Sequence, residues 1–227
     1  QANMDRNHRD RIAFARICSG KFDRGMVMTC ERTGKPFATK YASTVFGAER
    51  TTVDEAFPGD VVGLVNATGL NLGDTLYDET GPTVKFPPIP AFAPEVFATA
   101  RPLDTGKTKQ FRKGLDQLNE EGVVQVLKDP DWGDASPVLA AVGQLQFDVF
   151  SNRLDIDFNA PIEILSAPYQ AIRLTDKQSA DTLREKPGVR ILARLDGRLV
   201  ALFENKYALA RIEQNEPELT LDHIIAG

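Results

Sequence analysis

Short apolar stretches punctuate the first third of the chain, at Arg11–Cys18, Met26–Glu31, Phe37–Phe46, Asp54–Phe57, Asp60–Leu64 and Asp74–Leu76. Ser19-Gly20, Gly25, Gly34, Gly47, Pro58-Gly59 and Gly73 separate them. Such runs read as strands joined by tight reversals, because glycine adopts positive φ at no steric cost and proline arrives with φ already set. No helical period interrupts them, so the spacing predicts a small β barrel. Five prolines then fall between Thr80 and Pro94 (Pro82, Pro87, Pro88, Pro90, Pro94). They stiffen and extend the chain, which puts a domain boundary near Pro87 and divides the chain into 1–87 and 88–227.

Past that point the period changes. Glu95–Ala100 predicts a strand, and Thr105–Glu121 a helix with Phe111, Leu115 and Leu118 on one face, stopped at Gly122. Val123–Leu127 and Val138–Val142 read as strands of a hairpin, Gln144–Phe158 as a helix with Phe147, Phe150, Leu154 and Phe158 along one side, and Pro161–Ser166 as a strand. This βαββαβ order predicts a ferredoxin-like α+β unit whose helices cover one face of an antiparallel sheet. The pattern then repeats: strand Tyr169–Leu174, helix Lys177–Lys186, strands Val189–Leu195 and Leu199–Phe203 about an Asp196-Gly197 turn, helix Tyr207–Gln214 and strand Leu219–Ile224. The second domain is thus expected to hold two such units, 88–167 and 168–227.

Composition narrows the class. With 42% hydrophobic and 26% charged residues in 227, the chain is that of a soluble globular protein. No run approaches a membrane span, and the Arg- and Asp-rich start lacks the apolar middle of a signal peptide. Two cysteines, Cys18 and Cys30, are too few for a disulfide framework and lack a second ligand pair for zinc, pointing to a reducing cytoplasm. Because the chain opens on Gln1, directly in patterned sequence, it is expected to be a piece of something longer. The net charge of −5 hides an asymmetry: residues 1–50 hold ten Lys/Arg against five Asp/Glu. A local basic face for phosphate, with protein or solvent elsewhere, fits that distribution.

Candidate chemistry is sparse. Acid–base or nucleophilic catalysis would want a histidine near Ser, Cys or a carboxylate, yet only His8 and His223 are present, near the two ends. The carboxylate pairs Glu120-Glu121 and Asp155 with Asp157 read as solvated charge. Gly106-Lys107-Thr108 has the tail of a phosphate loop without the glycine that should precede it, and with Asp104-Thr105 it reads as a helix cap. What remains is basic. Arg6, Arg9 and Arg11, with His8 among them, cluster beside a strand, and Arg32 and Lys35 flank the Gly34 turn. Two loops of one barrel can present these to folded RNA by shape and charge; there is no aromatic interleaving for stacking single strands.

The strings His8–Met26 (HRDRIAFARICSGKFDRGM), Asp54–Leu64 (DEAFPGDVVGL), Leu72–Tyr77 (LGDTLY), Phe86–Phe97 (FPPIPAFAPEVF), Lys113–Val126 (KGLDQLNEEGVVQV) and Ala141–Leu154 (AVGQLQFDVFSNRL) are similar, in order and spacing, to the bacterial class II peptide chain release factors. The barrel turns are shared with elongation factor G and the wider translational GTPase superfamily; the first, fourth and last strings resemble the release factors in particular. The resemblance implies a barrel of the translation-factor domain II type followed by the α+β domain, together the ribosome-docking part of a termination factor that promotes departure of class I release factors. It implies GTP and magnesium only in an N-terminal GTPase domain outside this sequence, so that no catalytic, cofactor or metal residue is expected here and the fragment itself is not an enzyme. The partners implied are the small ribosomal subunit, RNA and protein, and the missing GTPase domain, for a cytoplasmic monomer that touches no membrane. Arg6, His8, Arg9, Arg11, Arg32 and Lys35 are the candidate RNA-facing residues. Two rivals stand beside this reading: the equivalent domains of an elongation-factor-G-like or ribosome-protection GTPase, against which the end at Gly227 argues, and a stand-alone small enzyme using a carboxylate pair.

Overall fold

The computed structural model describes residues 12–40, 42–46, 49–67, 69–78, 80–87, 92–130 and 133–224. Two compact units divide the chain, Gln1–Ile89 and Pro90–Gly227.

Among its described residues unit 1 has nine short strands: β1 (Ile12–Arg16), β2 (Phe22–Asp23), β3 (Val27–Cys30), β4 (Lys35–Ala38), β5 (Ala42–Phe46), β6 (Glu49–Thr52), β7 (Glu55–Ala56), β8 (Val61–Val65) and β9 (Leu76–Tyr77). All pair antiparallel, in three separately hydrogen-bonded sheets ordered β1-β8-β5-β6, β4-β3-β9 and β2-β7. One buried cluster, including Ile17, Phe22, Cys30, Val62, Leu64 and Leu70, holds the sheets together. The run Phe37–Phe46, expected to be one strand, is broken at Thr39. That side chain is 1% exposed; its backbone N–H and its hydroxyl both donate to the Met26 carbonyl, at 3.1 and 2.8 Å. The chain is thereby passed from one sheet to the next.

Unit 2 contains β10 (Val96–Pro102), a 3-10 turn (Thr105–Lys107), α1 (Thr108–Glu120), β11 (Gln125–Asp129), β12 (Gly133–Ala141), α2 (Gln144–Phe158), β13 (Ile162–Ser166), β14 (Ala171–Thr175), α3 (Lys177–Leu183), β15 (Val189–Arg194), β16 (Leu199–Phe203) and α4 (Lys206–Asn215). Both βαββα passages occur in the expected order. They do not form separate sheets. The strands make one seven-stranded antiparallel sheet ordered β13-β10-β12-β11-β15-β16-β14, closed across the middle by β11 against β15. Each passage contributes its strands in mirrored order about that seam.

Alternation along the strands explains the layers. Ala98, Val126, Leu139 and Ala141 point to the side covered by α1 and α2, where they meet Phe111, Leu115, Leu118, Phe147, Phe150 and Leu154. Ala171, Ile191, Ala201 and Phe203 point to the side covered by α3 and α4, against Leu183, Leu209 and Ile212. Their neighbours Phe97, Leu127, Val138, Ala140, Ile172, Leu192, Val200 and Leu202 form a single cluster on the opposite side, drawn from both halves. Leu127, Ala140, Val200 and Leu202 are all 0% exposed. No helix contributes to that cluster among the described residues. The expectation of helices over one face was right for each half and incomplete for the whole.

The closing strand expected at Leu219–Ile224 reduces to one bridge, Leu174 with Asp222, held by reciprocal N–H···O contacts of 2.8 and 3.0 Å. The Thr220 N–H is diverted to Ser179 Oγ at 2.9 Å and its hydroxyl to Asp176 at 2.5 Å, so the segment is tied to the start of α3 rather than to a ladder. Asp176 also accepts from the Ser179 N–H as the α3 cap.

Candidate nucleic-acid interface

The β3–β4 reversal carries Arg32 and Lys35 around Gly34, whose φ of +63° admits few residues other than glycine. Both cations are exposed, but their roles differ. Arg32 grips Asp74 with a two-point fork, Nε to Oδ1 at 2.6 Å and Nη2 to Oδ2 at 2.8 Å, and Nη2 also donates to the Gly69 carbonyl at 3.1 Å. The Asp74 carboxylate is 7% exposed. It accepts further from the Asn71 N–H at 2.8 Å and from the Cys30 thiol at 3.5 Å. Burial alone would push the Asp74 carboxyl up; Arg32, the Asn71 N–H and the Cys30 thiol outweigh it and hold the group below its ordinary value. Arg32 is therefore a clamp between the reversal and the segment before β9, with its fork already spent. Lys35, at the start of β4, is the cation this turn presents to solvent. Arg6, His8, Arg9 and Arg11 lie outside the described residues.

A group with a depressed carboxyl pKa contributes stability above the unfolded value and loses it as pH falls through the folded one. Arg32→Ala should cost about 1–2 kcal/mol at neutral pH, at the low end for a buried carboxylate because solvent screens the half-exposed guanidinium. The deficit relative to the parent chain should shrink below about pH 4, where Asp74 takes up its proton. Urea unfolding at several pH values reads both numbers.

Three other exposed cations of this unit are balanced locally. Lys21 lies between Glu55 and Asp23, Arg24 pairs with Asp54, and Lys85 with Glu31. An open cleft of about 680 Å³ sets apolar Phe14, Leu72 and Phe86 beside Arg16.

The carboxylate pairs of unit 2 separate on inspection. Glu121, just past α1, is 3% exposed at its side chain and meets Arg153 of α2, which also reaches Asp157 with Nε at 2.8 Å. Gln117 Nε2 donates to Glu121 at 2.9 Å. Glu121 is thus a buried clamp between two helices, not the solvated charge expected, whereas Asp155 is exposed. Gly106 and Lys107 lie in the 3-10 turn and Thr108 opens α1: Asp104 accepts from the Gly106 N–H at 2.8 Å, and Lys107 Nζ donates to Asn159 at 2.9 Å. This is the helix-capping role read from the sequence. His223 is exposed next to the single bridge. Among the described residues no three His, Cys, Asp or Glu side chains converge as a metal site, and no helix is long and apolar enough to cross a membrane.

The comparison that decides the relationship falls on unit 2. A family model described as "Class II release factor RF3, C-terminal domain" matches residues 86–213, more than half of the chain. The chain belongs to the class II release factor family. Unit 1 matches a second model, "Elongation factor G domain 2", over residues 1–79. Among curated relatives, "Peptide chain release factor 3" of Trichodesmium erythraeum is 38% identical over 227 residues, covering 98% of this chain and 41% of that protein. The protein of the same name in Synechocystis is 41% identical over 229 residues, covering 99% and 41%. This release-factor chain spans about two fifths of the length of the relatives it matches. A crystal structure of a Thermus thermophilus protein superposes with a TM-score of 0.58 at 19% identity, over 82% of this chain and 27% of that one, a likeness of fold.

Proposed function

We propose that this chain is the ribosome-docking portion of a translation termination factor whose complete form uses GTP to promote departure of class I release factors. The observation that carries the reading is the order of the two family matches: a factor-type domain 2 followed, after six intervening residues, by the release-factor C-terminal domain. That order supports a protein that works on the ribosome, and the strings at His8–Met26, Phe86–Phe97 and Ala141–Leu154 support the same family.

In this reading the chain performs no chemistry. GTP and magnesium are held by the part of the relatives that these residues do not cover, and the docking portion transmits its position on the ribosome to that part. Unit 1 approaches small-subunit RNA through Lys35 and the basic segment carrying Arg6, His8, Arg9 and Arg11. Arg32 keeps that turn in place through Asp74 instead of touching RNA. The chain acts as a single copy in the cytoplasm, where ribosomes are. The test is displacement: the purified chain should bind ribosomes and compete with a full-length relative, and a chain that does neither removes the reading.

A further inference from the structure

Unit 2 is acidic in sum, yet the first half of α1 is not. Residues 105–115 carry Lys107, Lys109, Arg112 and Lys113 and no Asp or Glu. Lys109, Arg112 and Lys113 are exposed, and at i, i+3 and i+4 they share one side of the helix. None of the three has a hydrogen-bond or ion-pair partner among the described residues. Elsewhere in the unit Arg101, Arg184, Arg190 and Arg198 are tied to Glu163, Asp181, Asp129 and Asp196.

The placement also runs against the helix itself. Backbone dipoles favour acids in the first turn of a helix and bases in the last; α1 has no acid in its first turn, no base in its last, and ends on Glu120. A helix dressed in this order gives up stability, and an external anion on the cationic half returns it. The exposed side chains of the stretch are Thr105, Lys109, Gln110, Arg112 and Lys113, all polar, while Phe111 is 1% exposed and points to the core. A protein interface would need apolar or aromatic anchors at its centre, and a single-strand reader would need an aromatic platform. Phosphate needs neither.

We propose that the N-terminal half of α1 is a second contact for the phosphate backbone of folded RNA, on the other unit from Lys35 and independent of it. The test measures anisotropy of a labelled RNA duplex of about 20 base pairs against the intact chain across a salt series. Lys109→Ala/Arg112→Ala/Lys113→Ala should weaken binding about tenfold or more at low salt and make the slope of log K against log salt shallower by about two to three. Lys109→Arg/Lys113→Arg should keep both. The alanine variant should melt at the same temperature as the parent or higher, since it removes cations from the wrong end of a dipole. An unchanged slope overturns the proposal, as does a parent chain that does not bind the duplex, or one that binds labelled polyglutamate more tightly than RNA. Ribosome binding lost with duplex binding intact would instead remove the docking reading and leave this one standing.

Discussion

Arg153→Ala is expected to cost about 2–4 kcal/mol in urea unfolding. The cause is the partner left behind. Glu121 sits at 3% exposure between the end of α1 and the middle of α2, and Arg153 supplies its counter-charge. Removing one member of such a pair strands a charge where water cannot reach it, whereas replacing both by apolar groups of similar size is often close to neutral. The double variant Glu121→Met/Arg153→Met should therefore recover most of the loss. A single variant within about 0.5 kcal/mol of the parent chain would mean that the pair is only surface decoration.

Leu127→Ala is expected to cost about 2–5 kcal/mol and to loosen both halves of unit 2 together. Leu127 is 0% exposed, lies on β11 opposite Arg194 of β15, and belongs to the cluster shared by the two halves. Amide exchange reads the outcome: protection at Leu139 and Ala140 in one half and at Val200 and Leu202 in the other should fall by the same factor. Loss confined to the half containing Leu127 would show that the seam between β11 and β15 does not couple them.

That seam also marks where sequence reasoning stopped short. The elements with full local punctuation were legible: α2 spans the expected Gln144–Phe158, α1 ends at Glu120, just short of the expected Gly122, and β15 and β16 flank the Asp196-Gly197 turn. The pairing of β11 with β15 leaves no local trace, because it joins strands more than sixty residues apart in sequence. A trace of burial on both faces was nevertheless present. Val126-Leu127, Val138–Ala141, Ile191-Leu192 and Val200–Phe203 are unbroken apolar runs, the mark of strands covered on both sides, where a sheet with one solvated face would alternate. The short strands β2 and β6 were missed for a different reason: one has two residues and the other, Glu49–Thr52, has no apolar residue.

The candidate site was half legible. A cation beside Gly34 is read easily as a solvent-facing charge, and Lys35 is one. Arg32 carries the same local signature and has the opposite role, because its partner Asp74 comes from a segment 42 residues later. Glu121 was misjudged in the same way: its partner Arg153 is 32 residues away, and only the packing of α1 on α2 brings them together. Charge runs report composition, whereas the pairing that spends a charge is set by tertiary contact. Lys109, Arg112 and Lys113 of α1 have no such partner among the described residues.

The proposed docking of this chain on the ribosome is expected at the site used by full-length class II release factors. The direct measurement is competition: ribosomes carrying a labelled full-length peptide chain release factor 3 are titrated with the purified chain across a salt series. Displacement should be saturable, need no nucleotide on the chain and weaken linearly in log salt as phosphate contacts are screened. Binding without displacement, or no binding at low salt, would contradict the proposed docking.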